Sequence, residues 1–286
     1  EVRNACPADG PAIKLLYQSA YRALPRLWQW ERHLVGDSPF VVAESEGSVA
    51  GALLAWADES PVGWVRLAVL ENESDVDQWL ALALPPVLEK LRRRGTRTLA
   101  WMDYDGWAEA SLKAQGFERL TDVITLIKSD RALPEVSGAN VRLRPALEAD
   151  LSAIAGVDRA AFPPHWWQSE TTVRSRANKW AHLDVATAEG EVIGYAGGEL
   201  RLPAAHLSRI AVHPAYQGHG VGALLLRGAL RSFWECGATR ITLNTQADNS
   251  YSQRLYDRFG FEPTGDCVTA WELPLAVTEP DPSTRG

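Results

Sequence analysis

Three short segments recur in the same order in the two halves of this chain, about 143 residues apart, and this periodicity bounds the fold more tightly than any single motif. Val65-Arg66-Leu67-Ala68-Val69 resembles Ser208-Arg209-Ile210-Ala211-Val212, both runs suited to a buried strand. Arg94-Gly95-Thr96-Arg97-Thr98-Leu99 parallels Cys236-Gly237-Ala238-Thr239-Arg240-Ile241, where a helix ends at glycine and a strand begins. Leu112-Lys113-Ala114-Gln115-Gly116-Phe117-Glu118 parallels Tyr256-Asp257-Arg258-Phe259-Gly260-Phe261-Glu262. A length of 286 residues suits two domains of average size. The stretch 129–139, with Pro134, Ser137 and Gly138, interrupts the pattern, after which Val141-Arg142-Leu143-Arg144 reads as a fresh first strand and 148–162 as a first helix. The expected division is a first domain over 1–130, a linker over 131–139, a second domain over 140–277 and a disordered Pro-, Asp- and Ser-rich tail over 278–286.

Each half reads as strand, helices, several strands, helix, strand, helix, strand. That order fits an α/β (α+β) class in which each domain is a mixed, mostly antiparallel sheet flanked by helices, rather than strict βαβ alternation. The longest apolar runs, such as 79–84 and 223–226, fall far short of the roughly 20 residues that cross a bilayer, so no membrane partner is expected. A net charge of -7 leaves no basic stripe to follow a nucleic-acid backbone, so nucleic acid is not an expected partner either. Cys6, Cys236 and Cys267 are odd in number and widely spaced, which speaks against a disulfide framework or a zinc site and fits a reducing cytoplasm.

The chemistry is concentrated in the second half. The segment 207–222 reads as a strand followed by a glycine loop, and 223–234 as an amphipathic helix. Gly218, Gly220 and Gly222 let the backbone approach an anion closely, and the first N–H groups of the following helix have no internal partner and sit at its positive end. Together they suit a pyrophosphate, although glycine at a helix entry also serves geometry alone. The spacing is neither that of a P-loop nor of a dinucleotide fold, whose acidic residue is not at the end of a next strand.

The pattern Val212-x-Pro214-x-x-Gln217-x-x-Gly220-x-Gly222 resembles motif A of the GNAT acyltransferase superfamily. At the right distance, Asn249-Ser250-Tyr251-Ser252-Gln253-Arg254-Leu255-Tyr256-Asp257-Arg258-Phe259-Gly260-Phe261 resembles the family's N-x-x-(A/S)-x-x-L-Y-x-x-x-G-F helix and strand entry. With the repeat, this implies two tandem GNAT-like domains. It further implies acetyl-CoA as acyl donor, no metal, and N-acetyl transfer to a primary amine of a small molecule or peptide in a ternary complex. The oligomeric state is not implied.

The resemblance puts the donor against Ile210, Ala211 and Val212 of the strand, against Gln217, Gly218, His219, Gly220, Val221, Gly222 and Ala223 of the loop and helix start, and against Asn249, Ser252 and Tyr256 of the second motif. In the family two strands part and the pantetheine arm lies between them like an added strand. The expectation here is that 192–200 and 206–212 are those strands, with the backbone of Ile210 and Val212 pairing with the arm. Gly197-Gly198 in mid-strand suits either a bulge or an edge kink.

Tyr256 is the candidate general acid for the departing thiolate, unless it is a packed helix aromatic. Asn249 suits a helix cap as well as a cofactor neighbour. Glu199 is the candidate base for the amine, with His206 or a held water as alternatives; His213 and His219 read as turn or surface residues. Selection of the acceptor is implied for the segment from Phe162 to Trp180, where aromatics can wall a cleft.

The first half has diverged. Where the second half has its glycine loop, it has Glu71, Glu73, Asp75 and Asp77, whose charge would repel a pyrophosphate, and Leu112 stands where the other half has Tyr256. One acetyl-CoA site, in the C-terminal half, is therefore expected, the first half being structural or shaping the acceptor cleft. The alternative reading is a non-catalytic acyl-CoA-binding or sensor protein that kept the cradle and lost turnover.

Overall fold

The computed structural model describes residues 1–19, 22–23, 30–72, 76–136 and 141–275. Two compact units divide the chain, one made of Glu1–Thr121 with the chain from Val268 on, the other of Asp122–Cys267.

In the first unit the chain forms β1 (Val2–Asn4), α1 (Gly10–Ser19), β2 (Arg22–Ala23), β3 (Phe40–Ser45), β4 (Ser48–Trp56), β5 (Val62–Leu70), α2 (Val76–Arg93), β6 (Thr98–Asp103) and α3 (Glu109–Ala114). β7 (Glu118–Lys128) follows and leads to the second unit, which holds β8 (Arg142–Pro145), α4 (Leu151–Ala161), α5 (Glu170–Ala177), β9 (His182–Ala188), β10 (Glu191–Arg201), β11 (Ala204–Val212), α6 (Val221–Glu235), β12 (Arg240–Gln246) and α7 (Ser250–Arg258). The last strand is β13 (Glu262–Pro274).

Within each unit neighbouring strands pair antiparallel except at one step, β5 with β6 in the first unit and β11 with β12 in the second. Period-2 alternation gives each strand two faces, and on the central strands both are buried. On β5, Leu67 and Val69 pack with Ile13 and Leu16 of α1, while Ala68 and Leu70 pack with Leu80 and Leu84 of α2. In the second unit, Ile154 and Val157 of α4 meet Tyr195 and Ala211 on one face, and Leu225, Leu226 and Phe233 of α6 meet Ala196, Leu207 and Ile241 on the other.

Each half opens on the same device. Arg3 grips Asp9 with two nitrogens at 2.8 and 2.7 Å, and Arg144 grips Asp150 at 2.6 and 2.8 Å. The same carboxylates accept the N–H of Cys6 and of Leu147 at the helix entries. Gly95 and Gly237, and Gly116 and Gly260, hold left-handed backbone at matching helix ends, the geometry their sequences suggest.

The units differ from the division at 130 and 277 by one strand at each end. Residues 123–128 of β7, at the end of the first repeat, pair with β12 of the second unit. Residues 269–274 of β13, at the end of the second repeat, pair with β6 of the first. The reason lies in the repeat itself: both strands follow the same Gly-Phe entry, so sequence pattern cannot say which of two equivalent sheets receives which strand. Residues 131–136 carry no regular structure, and the expected tail over 278–286 lies outside the described residues.

A test follows from this exchange. Trp271 of β13 is buried among Trp101, Leu112 and Phe117 of the first unit. Trp271→Ala should cost about 3–5 kcal/mol. Hydrogen exchange should accelerate in α2 and β6 and leave α6 and β11 unchanged; loss of protection in the second unit instead would contradict the assignment.

Candidate functional site

The site is built on an irregularity in β11. Gly197 of β10 faces Arg209 and the next residue, Gly198, faces Leu207, so Ser208 is one residue too many and forms a β-bulge. Ahead of it Ala205 and Leu207 face α6; past it Ile210 and Val212 take that face, and Arg209 and Ala211 turn to the α4 side. Both glycines are required where the sheet is so crowded. A Cβ on Gly197 would lie 2.3 Å from the Trp180 ring, and one on Gly198 2.3 Å from the His206 carbonyl oxygen.

The bulge is also where β11 leaves β12. Parallel pairing runs from Ala204 with Arg240 to Leu207 with Leu243 and stops there, while β12 continues to Gln246 against β7. β10 and β11, by contrast, stay paired through Gly194 and Val212. The expectation that 192–200 and 206–212 part is therefore corrected: those strands form a tight hairpin, and the parting strands are β11 and β12. The direction of the backbone groups agrees with the expected pairing edge. His213 N–H donates to the Ile193 carbonyl at 2.8 Å, which fixes the antiparallel alternation so that Ile210 and Val212 turn their N–H and C=O groups away from β10, toward the gap.

α6 begins beside the end of β11. Gly218 and Gly220 hold φ of 80° and 82°, a region that side chains resist, and Gly220 is the N-cap. The first intrahelical bond runs from Leu224 N–H to the Gly220 carbonyl, so the amides of Val221, Gly222 and Ala223 lie in the unpaired first turn. Gly222 needs no special backbone, since a Cβ there would meet Leu255 at 3.6 Å and Val212 at 3.8 Å. Gln217 donates its side-chain amide to the Val212 carbonyl at 3.0 Å, and His219 bonds to the Gln217 carbonyl at 2.9 Å. His213 accepts the Ala215 N–H at 3.3 Å, so both histidines take part in turn geometry.

α7 closes the third side. The Asn249 side chain caps it, accepting from Ser252 N–H at 3.1 Å, and Tyr251 accepts the Gly218 N–H at 3.2 Å, joining the two sequence motifs. Tyr256 is 5% exposed, edge-on to Phe261 at 5.8 Å, in the cluster that packs on α6. Burial pushes its phenol up to about 12, against the opposing pull of the Arg209 charge and a Ser252 hydrogen bond.

Glu199 lies elsewhere. It is opposite His206, which is in turn opposite Thr242, in the stretch where β11 and β12 are still paired. Its carboxylate meets Arg201 at 2.9 Å and is partly exposed. Alternation puts it on the α4 face with Gly197, whereas Tyr256 belongs to the α6 face, so the two catalytic candidates are on opposite sides of the sheet. His206 bonds through Nδ1 to the Thr242 hydroxyl at 2.9 Å.

One group escaped the sequence reading. Asp158 of α4 is fully buried and takes two bonds from Arg209, at 2.7 and 2.8 Å, with a third from the Tyr195 hydroxyl and a fourth from Gln168 N–H at 2.6 Å. Arg209 also donates to the Trp166 carbonyl at 2.6 Å and lies 3.6 Å from the Phe162 ring centre. Pairing Arg209 with Arg66 in the repeat concealed it. The structure aligns Arg66 with Ser208 instead, because Arg66 is the extra residue of the matching bulge between Leu54 and Ala55.

The first unit has the same parting strands, since β5 pairs with β6 only at Val62, Gly63 and Trp64. Its opening is filled by the chain: β2 pairs with Val69 and Leu70 on the edge of β5 opposite β4. Trp79 of α2 abuts Gly51 and stacks with Trp107 at 6.5 Å. Asp77 accepts from the Ser111 hydroxyl, and Leu112 is fully buried; residues 73–75 lie outside the described residues.

Comparison with known proteins agrees with this geometry. Residues 152–261 match the profile of the Acetyltransferase (GNAT) family. The chain is 27% identical over 249 residues to a mycothiol acetyltransferase of Nocardia farcinica, covering 80% of each chain. It is 28% identical over 114 residues to the ribosomal protein bS18-alanine N-acetyltransferase of Escherichia coli strain K12, covering 39% of this chain and 74% of that one. A tandem GNAT protein from the clavulanic acid biosynthesis pathway has the same fold, with a TM-score of 0.64 at 18% identity over 98% of this chain and 99% of that one.

The glycines of the loop can be told apart by stability. Gly220→Ala forces a side chain into left-handed backbone and should cost about 1–2 kcal/mol. Gly222→Ala should leave the melting temperature unchanged or slightly raised, because it adds a better helix former where there is room. Equal destabilisation by the two in a thermal melt would mean that the loop geometry is wrong.

Proposed function

We propose that the chain is an acetyl-CoA-dependent N-acetyltransferase that moves an acetyl group directly to a primary amine of a small molecule or peptide, a reading supported by the match of residues 152–261 to the Acetyltransferase (GNAT) family. The observation that carries this reading is the gap between β11 and β12, beside which two features suited to the donor lie. The strand edge at Ile210 and Val212 offers backbone partners to the amides of a pantetheine arm. The amides of 221–223, behind left-handed Gly218 and Gly220, offer a pyrophosphate site with open space at Gly218. Ala211, Gln217, His219, Asn249 and Ser252 complete its surroundings in this proposal.

Acetyl-CoA supplies the activated acyl group. Tyr256 supplies the proton taken up by the thiolate as the carbon–sulfur bond breaks and the carbon–nitrogen bond forms, and it regains that proton from solvent. The amine, entering the gap from the α4 side opposite Tyr256, loses its proton through a water relay to Glu199 or to His206, which share that face. With β2 along the corresponding edge of β5 in the first unit, one donor site per chain is proposed.

Calorimetry with acetyl-CoA should give a stoichiometry of about one per chain, and a value near two would refute the single site. Thiol release across a panel of glucosamine, spermidine and an alanine-initiated peptide distinguishes an enzyme from a sensor, which binds the donor and releases no CoA.

Tyr256→Phe should lower turnover roughly ten- to a hundredfold with little change in donor affinity, since only the hydroxyl is lost. A normal turnover number would remove Tyr256 from the mechanism. With its phenol at about 12, Tyr256 keeps its proton until the pH rises through that value. The pH profile of turnover should therefore show no alkaline limb from this group below about pH 10. A limb at lower pH that vanished in Tyr256→Phe would overturn the assignment.

A further inference from the structure

We propose that the buried Asp158–Arg209 pair, steadied by Tyr195, is a positioning device that holds residues 162–168 as a wall of the acceptor site; this rests on the acetyl-transfer reading above. The geometry joins four parts of the second unit through two side chains. Arg209 stands next to the Ser208 bulge, where β11 leaves β12, and Asp158 stands on α4. Between them they hold the loop at its start, middle and end: the Phe162 ring over the guanidinium, the Trp166 carbonyl on Nη2, and the Gln168 N–H on Oδ1. Tyr195 of β10 donates to Asp158, and burial beside that carboxylate pushes the phenol above its ordinary range, so it remains a donor.

The first unit supplies an internal control. Counting from the matching Arg3–Asp9 and Arg144–Asp150 pairs, Tyr17 stands at the position of Asp158. The matching bulges put Leu67 at the position of Arg209 and Ala52 at that of Tyr195. Ala52 and Leu67 are fully buried in an apolar cluster against which Tyr17 packs. The same architecture is thus closed by the apolar packing of Ala52, Leu67 and the Tyr17 ring in one half and by a buried ion pair in the other. Removing two charges from water opposes folding, and an apolar replacement of similar volume is often as stable or more so. Stability alone does not select the ion pair. What it provides, and hydrocarbon does not, is directional bonding to the loop carbonyl and amide.

The charge of Arg209 is consumed inside the unit, so it is not offered as a cation to the acceptor. The half-buried Trp166 and Trp167 of the held segment are the side chains that its order presents, with Trp167 further fixed by Arg159 at 5.0 Å from its ring centre.

The test transplants the first unit's solution: Asp158→Tyr, Tyr195→Ala and Arg209→Leu together, beside the milder single variants Tyr195→Phe and Arg209→Lys, which keep packing or charge and are expected to fold. Hydrogen exchange at residues 165–168 should accelerate roughly tenfold or more in Arg209→Lys, whose single ammonium cannot reproduce the planar fork that grips Asp158 through two nitrogens while reaching the Trp166 carbonyl, while α6 keeps its protection. Acetyl-CoA affinity by calorimetry should stay within about twofold, and KM for whichever panel amine the wild type acetylates should rise roughly tenfold with kcat less affected. Unchanged exchange in that segment overturns the proposal, as does faster exchange with an unchanged KM. A wild-type protein that binds no acetyl-CoA and turns over no amine would instead defeat the acetyl-transfer reading, leaving the exchange data to judge the anchoring separately.

Discussion

Ser208, the extra residue in β11, sits where the pleat of a sheet is most constraining. A strand that alternates faces every residue cannot bury Leu207 and Ile210 on one side unless an extra residue stands between them. Absorbing it as a bulge shifts the next residues by one step from plain alternation, at the point where the pairing with β12 ends. Arg209 then faces Asp158 rather than the apolar packing of α6, and the backbone of Ile210 and Val212 is directed to the opening. Were Ser208 an ordinary alternating residue instead of a bulge, Arg209 would share the face of Leu207 and its guanidinium would be driven into hydrocarbon.

The same constraint acts in both halves, and they meet it differently. A strand edge left without a partner exposes backbone groups that need one. In the first unit the chain supplies it, by laying β2 along Val69 and Leu70. In the second unit the equivalent edge carries, among the described residues, the Gln217 side chain on the Val212 carbonyl near its end. The divergence of the two repeats is thus more than the loss of glycines: one opening has been completed from within.

Much of this was legible in the sequence. The repeat, the glycine loop and the second motif fixed the sheet class and brought together residues that do lie together, with Asn249 capping α7 and Tyr251 reaching Gly218. Three things were not legible, each for a physical reason. The parting strands were misassigned because paired glycines at 197 and 198 read as a weak point, whereas their missing side chains make room for Trp180 and the His206 carbonyl in a tight hairpin. The bulge is a matter of register between strands, invisible along one strand. Aligning Leu67-Ala68-Val69 with Ile210-Ala211-Val212 looks better by residue type, yet it is out by one and reverses every face, which also disguised Arg209 as a repeated residue.

The exchanged strands have a consequence for how the chain is made. Synthesis on the ribosome runs from one end, so β6 emerges long before its eventual neighbour, residues 269–274, and must wait on the order of ten seconds for it. During that interval the nearest strand of the right pattern is β7, freshly made and ending the same repeat, but its residues 123–128 belong with β12, which does not yet exist. A nascent chain that joined β7 to β6 would build a plausible first half and leave the second without an edge. The native arrangement therefore asks the emerging polypeptide to defer its most local pairing in favour of two distant ones.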